Sequence, residues 1–196
     1  MARPLRQFSV GELYHLIVRG NNRQAIFFDE VTYREYLQLL YEGIRKYSVK
    51  VHAFVLMPNH VHLLMQPMRE KALSAALQLI GSSYAKYINR RHERSGHLFQ
   101  GRFHSSHVAQ DAYLLVASRY IHNNPVRAGI VEDAQTYPWS SVRAYAGRLD
   151  FSSSLDRLIG RVVDPTLTLS LFGGGTQDSH VAYQKFLNSV SDTGKL

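Results

Sequence analysis

Apolar positions alternate with polar ones along some stretches of this chain and recur at helical spacing along others, and the two patterns take turns. Leu13 to Val18 reads as a strand, followed by a polar, basic turn, Arg19-Gly20-Asn21-Asn22-Arg23-Gln24. Asp29 is a suitable helix N-cap, and Tyr33, Tyr36, Leu37, Leu40, Tyr41, Ile44 and Tyr47 then make one apolar stripe. Val49 to Met57 and His60 to Gln66 read as strands, and Pro58-Asn59 between them predicts a hairpin. A second helix is expected from Ala72 to about Arg94, ended by Gly96. His97 to Val108 reads as a fourth strand, with Gly101 allowing a bulge. Asp111 can cap a third helix running through Tyr120 to about Asn123, which Pro125 stops.

Beyond this point the pattern is less regular. Tyr137-Pro138-Trp139 is expected to open a short helix ending near Gly147, residues 148–165 read as loop, and Asp164 to Phe172 as a short helix. Gly173-Gly174-Gly175 reads as a hinge before a final amphipathic helix from Asp178 to about Val190, with Val181, Phe186, Leu187 and Val190 on its apolar side. A basic lead-in carries Arg3, Pro4 and Arg6, and no repeat is visible. The order strand–helix–strand–strand–helix–strand predicts an α+β, ferredoxin-like (RRM-like) antiparallel sheet with helices packed on it, followed by a helical C-terminal extension. Residues 1–147 are expected to form the main domain and 148–196 the extension.

Two positions stand out against this pattern. His60 and His62 interrupt a strand two residues apart, so both imidazoles project from one face while Val61, Leu63 and Met65 take the other. His52, on the preceding strand, has no partner histidine nearby and reads as a core or edge histidine. On the third helix Tyr113, Tyr120 and Asn124 fall within about 40° of one another at 100° per residue, beside Ala117. Tyr120 and Asn124 are one turn apart, so a phenol and an amide oxygen would be offered together to the sheet. Two imidazoles and an amide oxygen suit a divalent cation with open positions. Oxygen donors favour Mg²⁺ and imidazole favours softer ions such as Mn²⁺, so either can be expected. A tyrosine beside such a centre suggests phosphoryl transfer to a phenol. Tyr113 is the rival nucleophile, but its i+4 neighbour is Ala117, which binds no metal.

Composition narrows the partners. The chain has 196 residues, 45% hydrophobic, enough for one sizeable core. It contains no cysteine, which excludes disulfides, zinc–thiolate sites and cysteine nucleophiles. No apolar run approaches the roughly 18 residues that span a bilayer, and no signal-peptide core is visible, so a cytoplasmic, nucleoid-associated protein with no membrane partner is expected. The formal charge of +8 is carried mostly by arginine, the side chain that grips phosphates in bidentate fashion, and points to nucleic acid. Arg19, Arg23, Arg90, Arg91, Arg102 and Arg119 are candidate phosphate contacts.

Five segments, Tyr14-His15-Leu16-Ile17-Val18-Arg19-Gly20-Asn21, His52 to Leu64, Gly96 to Phe103, Arg119 to Gly129 and Trp139-Ser140-Ser141, resemble in order the REP-associated tyrosine transposases, single-tyrosine HUH enzymes related to the transposases of single-strand insertion sequences. The resemblance spans about residues 12–147. It implies metal-binding histidines at His60 and His62, a nucleophile at Tyr120, and a third metal ligand at Asn124, where insertion-sequence relatives often carry glutamine. It also implies cleavage of single-stranded DNA at palindromic hairpin elements through a 5′-phosphotyrosine, with a divalent metal, Mg²⁺ or Mn²⁺, as cofactor. With one catalytic tyrosine per chain, a homodimer would be needed for two concurrent strand exchanges. The competing expectations are a catalytically silent ferredoxin-like nucleic-acid-binding protein and a metal hydrolase that does not use the tyrosine; the latter lacks a nearby carboxylate pair.

Overall fold

Alternation along the strands places two unlike surfaces on the two sides of one sheet. In the computed structural model, which describes residues 7–109 and 111–189, the strands are β1 (Leu13–Arg19), β2 (Val49–Met57), β3 (His60–Pro67) and β4 (His104–Val108). They form one antiparallel sheet in the order β2-β3-β1-β4, the ferredoxin-like arrangement. One face carries Leu16, Phe54, Leu56, Val61, Leu63 and Met65, all fully buried. Against it pack α1 (Glu30–Tyr47), through Tyr36, Leu37 and Leu40, and α2 (Ala72–Arg91), through Leu73, Ala76, Ile80, Tyr84 and Ile88. The two helices cross closely at Gly43, where a Cβ would come within 2.8 Å of the Ile80 side chain. Asp29 does cap α1: its carboxylate accepts from Thr32 N at 2.9 Å, and Thr32 Oγ1 accepts from Asp29 N at 3.1 Å.

The opposite face carries the histidines. Across it lies α3 (Asp111–His122), held by Leu114, Ala117 and Ile121, and followed after Asn123 by the single turn α4 (Asn124–Arg127). The outer edge of β2 is covered by chain that returns from far downstream. Leu56 N donates to Trp139 O at 2.9 Å, Ser141 N to Phe54 O at 3.0 Å, and Asp164 N to Val51 O at 2.8 Å. An unpaired β2 edge would template aggregation, and these segments remove it.

Several sequence expectations are corrected. Residues 137–141 turn beside β2, joined to it by one antiparallel bridge between Val55 and Ser140, and the helix that follows, α5 (Val142–Tyr145), is one turn. Helix α2 stops at Arg91, five residues before Gly96, and the chain turns through Glu93 and Gly96, both at positive φ. Residues 97–103 are a loop with one bridge, Gly20 to Phe99, so β4 begins only at His104. Within 148–165 lies α6 (Ser154–Val162), whose Leu155, Ile159 and Val162 are buried and which packs on α1. It is followed by α7 (Thr166–Ser170) and α8 (Thr176–Asn188). In α8 the buried residues include Tyr183 and Leu187, while Val181 is exposed. The side chain of Asp111, the lead-in with Arg3, Pro4 and Arg6, and Val190 lie outside the described residues. His52 is buried as expected; its Nε2 donates to Gln66 Oε1 at 3.0 Å, and its Nδ1 has no hydrogen-bond partner among the described residues.

Candidate functional site

Strand register assembles the site. His60 stands opposite Arg19 and His62 opposite Ile17, and Ile17 faces His104 on its other side, so these five residues share one face. His62 is 2% exposed, and its ring lies edge-on to His60, with centroids 4.9 Å apart. Helix α3 lowers Tyr120 onto the pair: its half-buried ring meets His62 edge-on at 5.6 Å and His15 at 5.9 Å. One turn on, Asn124 Nδ2 lies 3.3 Å from His62 Nε2. Asn124 belongs to α4, not α3, because Pro125 has no N–H to continue the α3 ladder. The one-turn spacing between Tyr120 and Asn124 survives this break.

Each imidazole is oriented from behind. His60 Nδ1 donates to Asn59 Oδ1 at 2.6 Å, while Asn59 Nδ2 donates to Arg23 O at 3.2 Å. That tautomer makes Nε2 the lone-pair nitrogen of His60. His62 Nδ1 lies 2.9 Å from Nε2 of His15, a residue that is 5% exposed and stacked on the His62 ring. Donation from His62 to His15 leaves the His62 Nε2 lone pair facing Asn124.

Electrostatics keep these rings neutral. Burial, then the neighbouring His15, His60 and Arg19, push the His62 pKa down to about 2. Burial and His104 push His15 down to about 4. Burial and Arg19 lower His60, against an opposing hydrogen bond with Asn124. Neutral imidazoles with lone pairs directed at one amide fit a divalent cation. Asn124 places Nδ2 against His62, and turning the amide over presents Oδ1 at the same place. Among the described residues no set of three His, Cys, Asp or Glu side chains converges as a metal cage. The third protein donor would therefore have to be the Asn124 amide, with substrate and water completing the shell.

The arginines separate. Arg19 and Arg102 line a cleft of about 370 Å³ with Ile17, Gln100, Gly101 and His104, on the histidine face. Arg23 is exposed in the turn after β1. Arg90 and Arg91 are at the end of α2, where Arg91 pairs with Asp29 at 2.8 Å. Arg119 is not brought to the site: it is 7% exposed, stacks on Phe186 at 4.4 Å and donates to Ser189 Oγ at 3.0 Å. Tyr113 lies two turns from Tyr120, is 54% exposed and is not among the ring contacts of His62.

Two participants are hidden from a reading of the sequence. His15 is visible there only as a polar residue on the same strand face as Ile17 and Arg19. Arg127, whose guanidinium lies 5.0 Å from the Tyr120 ring centroid, sits seven residues beyond Tyr120, two turns along if the helix is followed through its break.

The fold and site together define a ferredoxin-like α+β protein in which a strand-borne histidine pair faces a helix-borne tyrosine. A family model described as "Transposase IS200 like" matches residues 10–124, and the chain belongs to that family. It is 24% identical over 151 residues to a Haemophilus influenzae protein named as a REP-associated tyrosine transposase, a match covering 72% of this chain and 85% of that one. Among solved structures it is similar to a REP-associated tyrosine transposase bound to a REP hairpin, with a TM-score of 0.64 and 19% identity over 80% of this chain and 90% of that one. Among the described residues no helix is long and apolar enough to cross a membrane.

Proposed function

We propose that this transposase-family chain nicks and rejoins single-stranded DNA at hairpin elements, with Tyr120 as nucleophile and His60, His62 and Asn124 as ligands of a divalent cation, Mg²⁺ or Mn²⁺. The observation that carries this reading is the approach of Tyr120 to His62, rings 5.6 Å apart, with Asn124 on the free nitrogen of the same histidine. The hairpin substrate is inferred from the structural neighbour, which is bound to a REP hairpin.

Tyr120 Oη forms a bond to phosphorus and the bond to the 3′ oxygen breaks. The phenol gives up its proton, and the departing 3′ oxygen takes one up. The 5′ end is then held as a phosphotyrosine, and attack by a 3′-OH reverses the step without any nucleoside triphosphate. His60, His62 and Asn124 would hold a divalent cation, which when bound would supply positive charge to the phosphate oxygens. His60 and His62 stay neutral and directed, Asn59 and His15 hold their rings, and Arg19 and Arg102 offer charge to neighbouring phosphates along the cleft.

The test is incubation with hairpin DNA bearing single-stranded flanks, with Mg²⁺ or Mn²⁺, and resolution of a protein–DNA adduct on a denaturing gel. Wild type and Tyr113→Phe form it; Tyr120→Phe, His60→Ala and His62→Ala do not. An adduct that survives Tyr120→Phe and vanishes in Tyr113→Phe overturns the assignment.

A further inference from the structure

The nicking reading needs single-stranded DNA to lie beside His60, and stacking of unpaired bases on aromatic rings is the sequence-tolerant way to hold such a strand. Most aromatic side chains here are buried in the core or packed half-buried against it. Phe28 is 44% exposed, and its position is set by its neighbours. Phe27 turns inward and stacks on Tyr33 at 4.3 Å, which leaves Phe28 to face outward. The α1 capping box then pins Phe28, whose N–H donates to Thr32 Oγ1 at 3.0 Å. His92 lies against the Phe28 ring, centroids 4.4 Å apart and planes tilted by 42°, and the Arg94 guanidinium is 5.8 Å from the ring centroid. The ring is thus a half-open apolar surface set between His92 and Arg94.

It is also joined to the histidine end of the sheet by consecutive contacts. Arg94 donates to Gln24 Oε1 at 3.3 Å, in the turn after β1. The neighbouring Arg23 O accepts from Asn59, and Asn59 Oδ1 holds His60. Phe27 N itself donates to Pro58 O at 3.2 Å, one residue before Asn59. Among the described residues two other exposed rings, Tyr113 and Phe151, stand on α3 and ahead of α6, away from this run of contacts.

We propose that Phe28, backed by His92 and flanked by Arg94, is a stacking platform for an unpaired nucleobase of the DNA strand that leads to the cleavage site. This inference rests on the single-stranded-DNA reading above, and concerns binding rather than the chemical step. The ring accepts any base by its π face, and Arg94 meets the backbone or the same base by cation–π contact.

The test measures binding of the full chain, by fluorescence anisotropy, to a hairpin oligonucleotide with single-stranded thymidine flanks and to the same hairpin with blunt ends. Phe28→Ala is expected to weaken the flanked hairpin about fivefold or more and leave the blunt one unchanged. Phe28→Trp is expected to restore affinity, and its added indole to be quenched on binding the flanked DNA, a change absent from the wild-type emission. The proposal is overturned if Phe28→Ala binds the flanked hairpin as wild type does, if it loses both hairpins equally, or if the Phe28→Trp variant shows no quenching beyond that of wild type. The adduct assay is scored separately. No adduct alongside a Phe28-dependent preference for flanks removes the nicking reading and keeps the platform; an adduct without that preference does the reverse.

Discussion

His15 Nε2 lies 2.9 Å from His62 Nδ1, with the two rings near parallel. This contact fixes which nitrogen of His62 is free, so His15 acts on the proposed cation through another residue. Losing such an orienting partner typically costs about 10–100-fold in metal affinity. His15→Leu, which keeps the volume and apolar packing, is expected to weaken Mn²⁺ binding by that order in an electron-paramagnetic-resonance titration. His15→Gln, which restores an acceptor, should recover most of it. Adduct formation by His15→Leu should rise toward wild type at high Mn²⁺. Unaltered Mn²⁺ affinity in His15→Leu would show that the stack is packing alone.

Arg127 lies over the Tyr120 ring, guanidinium to centroid 5.0 Å. It is exposed, so it contributes little to folding. In the proposed reaction its charge would meet the phosphate that approaches the phenol. Arg127→Gln is expected to slow adduct formation roughly tenfold, consistent with loss of a charged hydrogen bond worth about 1.5–3 kcal/mol. The melting temperature should stay the same. A normal rate with a lowered melting temperature would assign Arg127 to the fold instead.

Helix α8 and the residue after it hold the residues that flank Tyr120. Arg119 bonds Ser189, Asn123 Nδ2 donates to Leu187 O at 3.0 Å, and His122 Nδ1 lies 2.7 Å from Tyr183 Oη. Tyr183→Phe would leave buried His122 and Ser118 short of a partner, at a cost of about 1–3 kcal/mol. The expected outcome is faster amide hydrogen exchange across α3, with the β1–β3 amides unchanged. Protection of α3 at the wild-type level would mean that α8 does not set the position of Tyr120.

These relationships divide by range. The histidine pair, the Asp29 cap and the Tyr120–Asn124 spacing are local, set by periods of two and 3.6 residues, and are legible in the sequence. So is the ferredoxin-like sheet, because its strands and two long helices follow one another in the order strand–helix–strand–strand–helix–strand. What is not legible depends on segments far apart in the chain. Residues 137–141 carry Pro138 and resemble a helix start, yet the open edge of β2 holds them in a turn through Trp139 and Ser141, and the helix begins only at Val142. Tyr183 resembles any tyrosine of an amphipathic helix until His122, 61 residues away, is placed against it. Arg119 resembles a phosphate contact because arginines are usually exposed; Phe186 and Ser189 bury it. His15 gains its role only when β1 is paired beside β3.

The buried histidines give folding stability a definite pH dependence. His122 is fully buried between Tyr183 Oη and Ser141 Oγ, each 2.7 Å away, and burial lowers its pKa from 6.5 to about 3. The unfolded chain takes up this proton as pH falls through about 6.5, and the folded chain resists until about 3. Between those values the unfolded state binds more protons, so stability falls with falling pH. His15 and His62 act with the same sign. At the alkaline end burial raises Tyr183 well above 10, so the unfolded phenol ionises first and stability falls again as pH rises past that point. Guanidinium denaturation across pH should therefore show a plateau from near neutrality to the onset of phenol ionisation, with an acid limb to which each such histidine adds up to about 1.4 kcal/mol per pH unit. His122→Gln is expected to lower the plateau, through loss of the paired hydrogen bonds, and to flatten the acid limb by about one proton. An acid limb parallel to wild type in that variant would show that His122 is protonated as readily in the folded chain as in the unfolded one, and that its two hydroxyl partners do not hold it neutral.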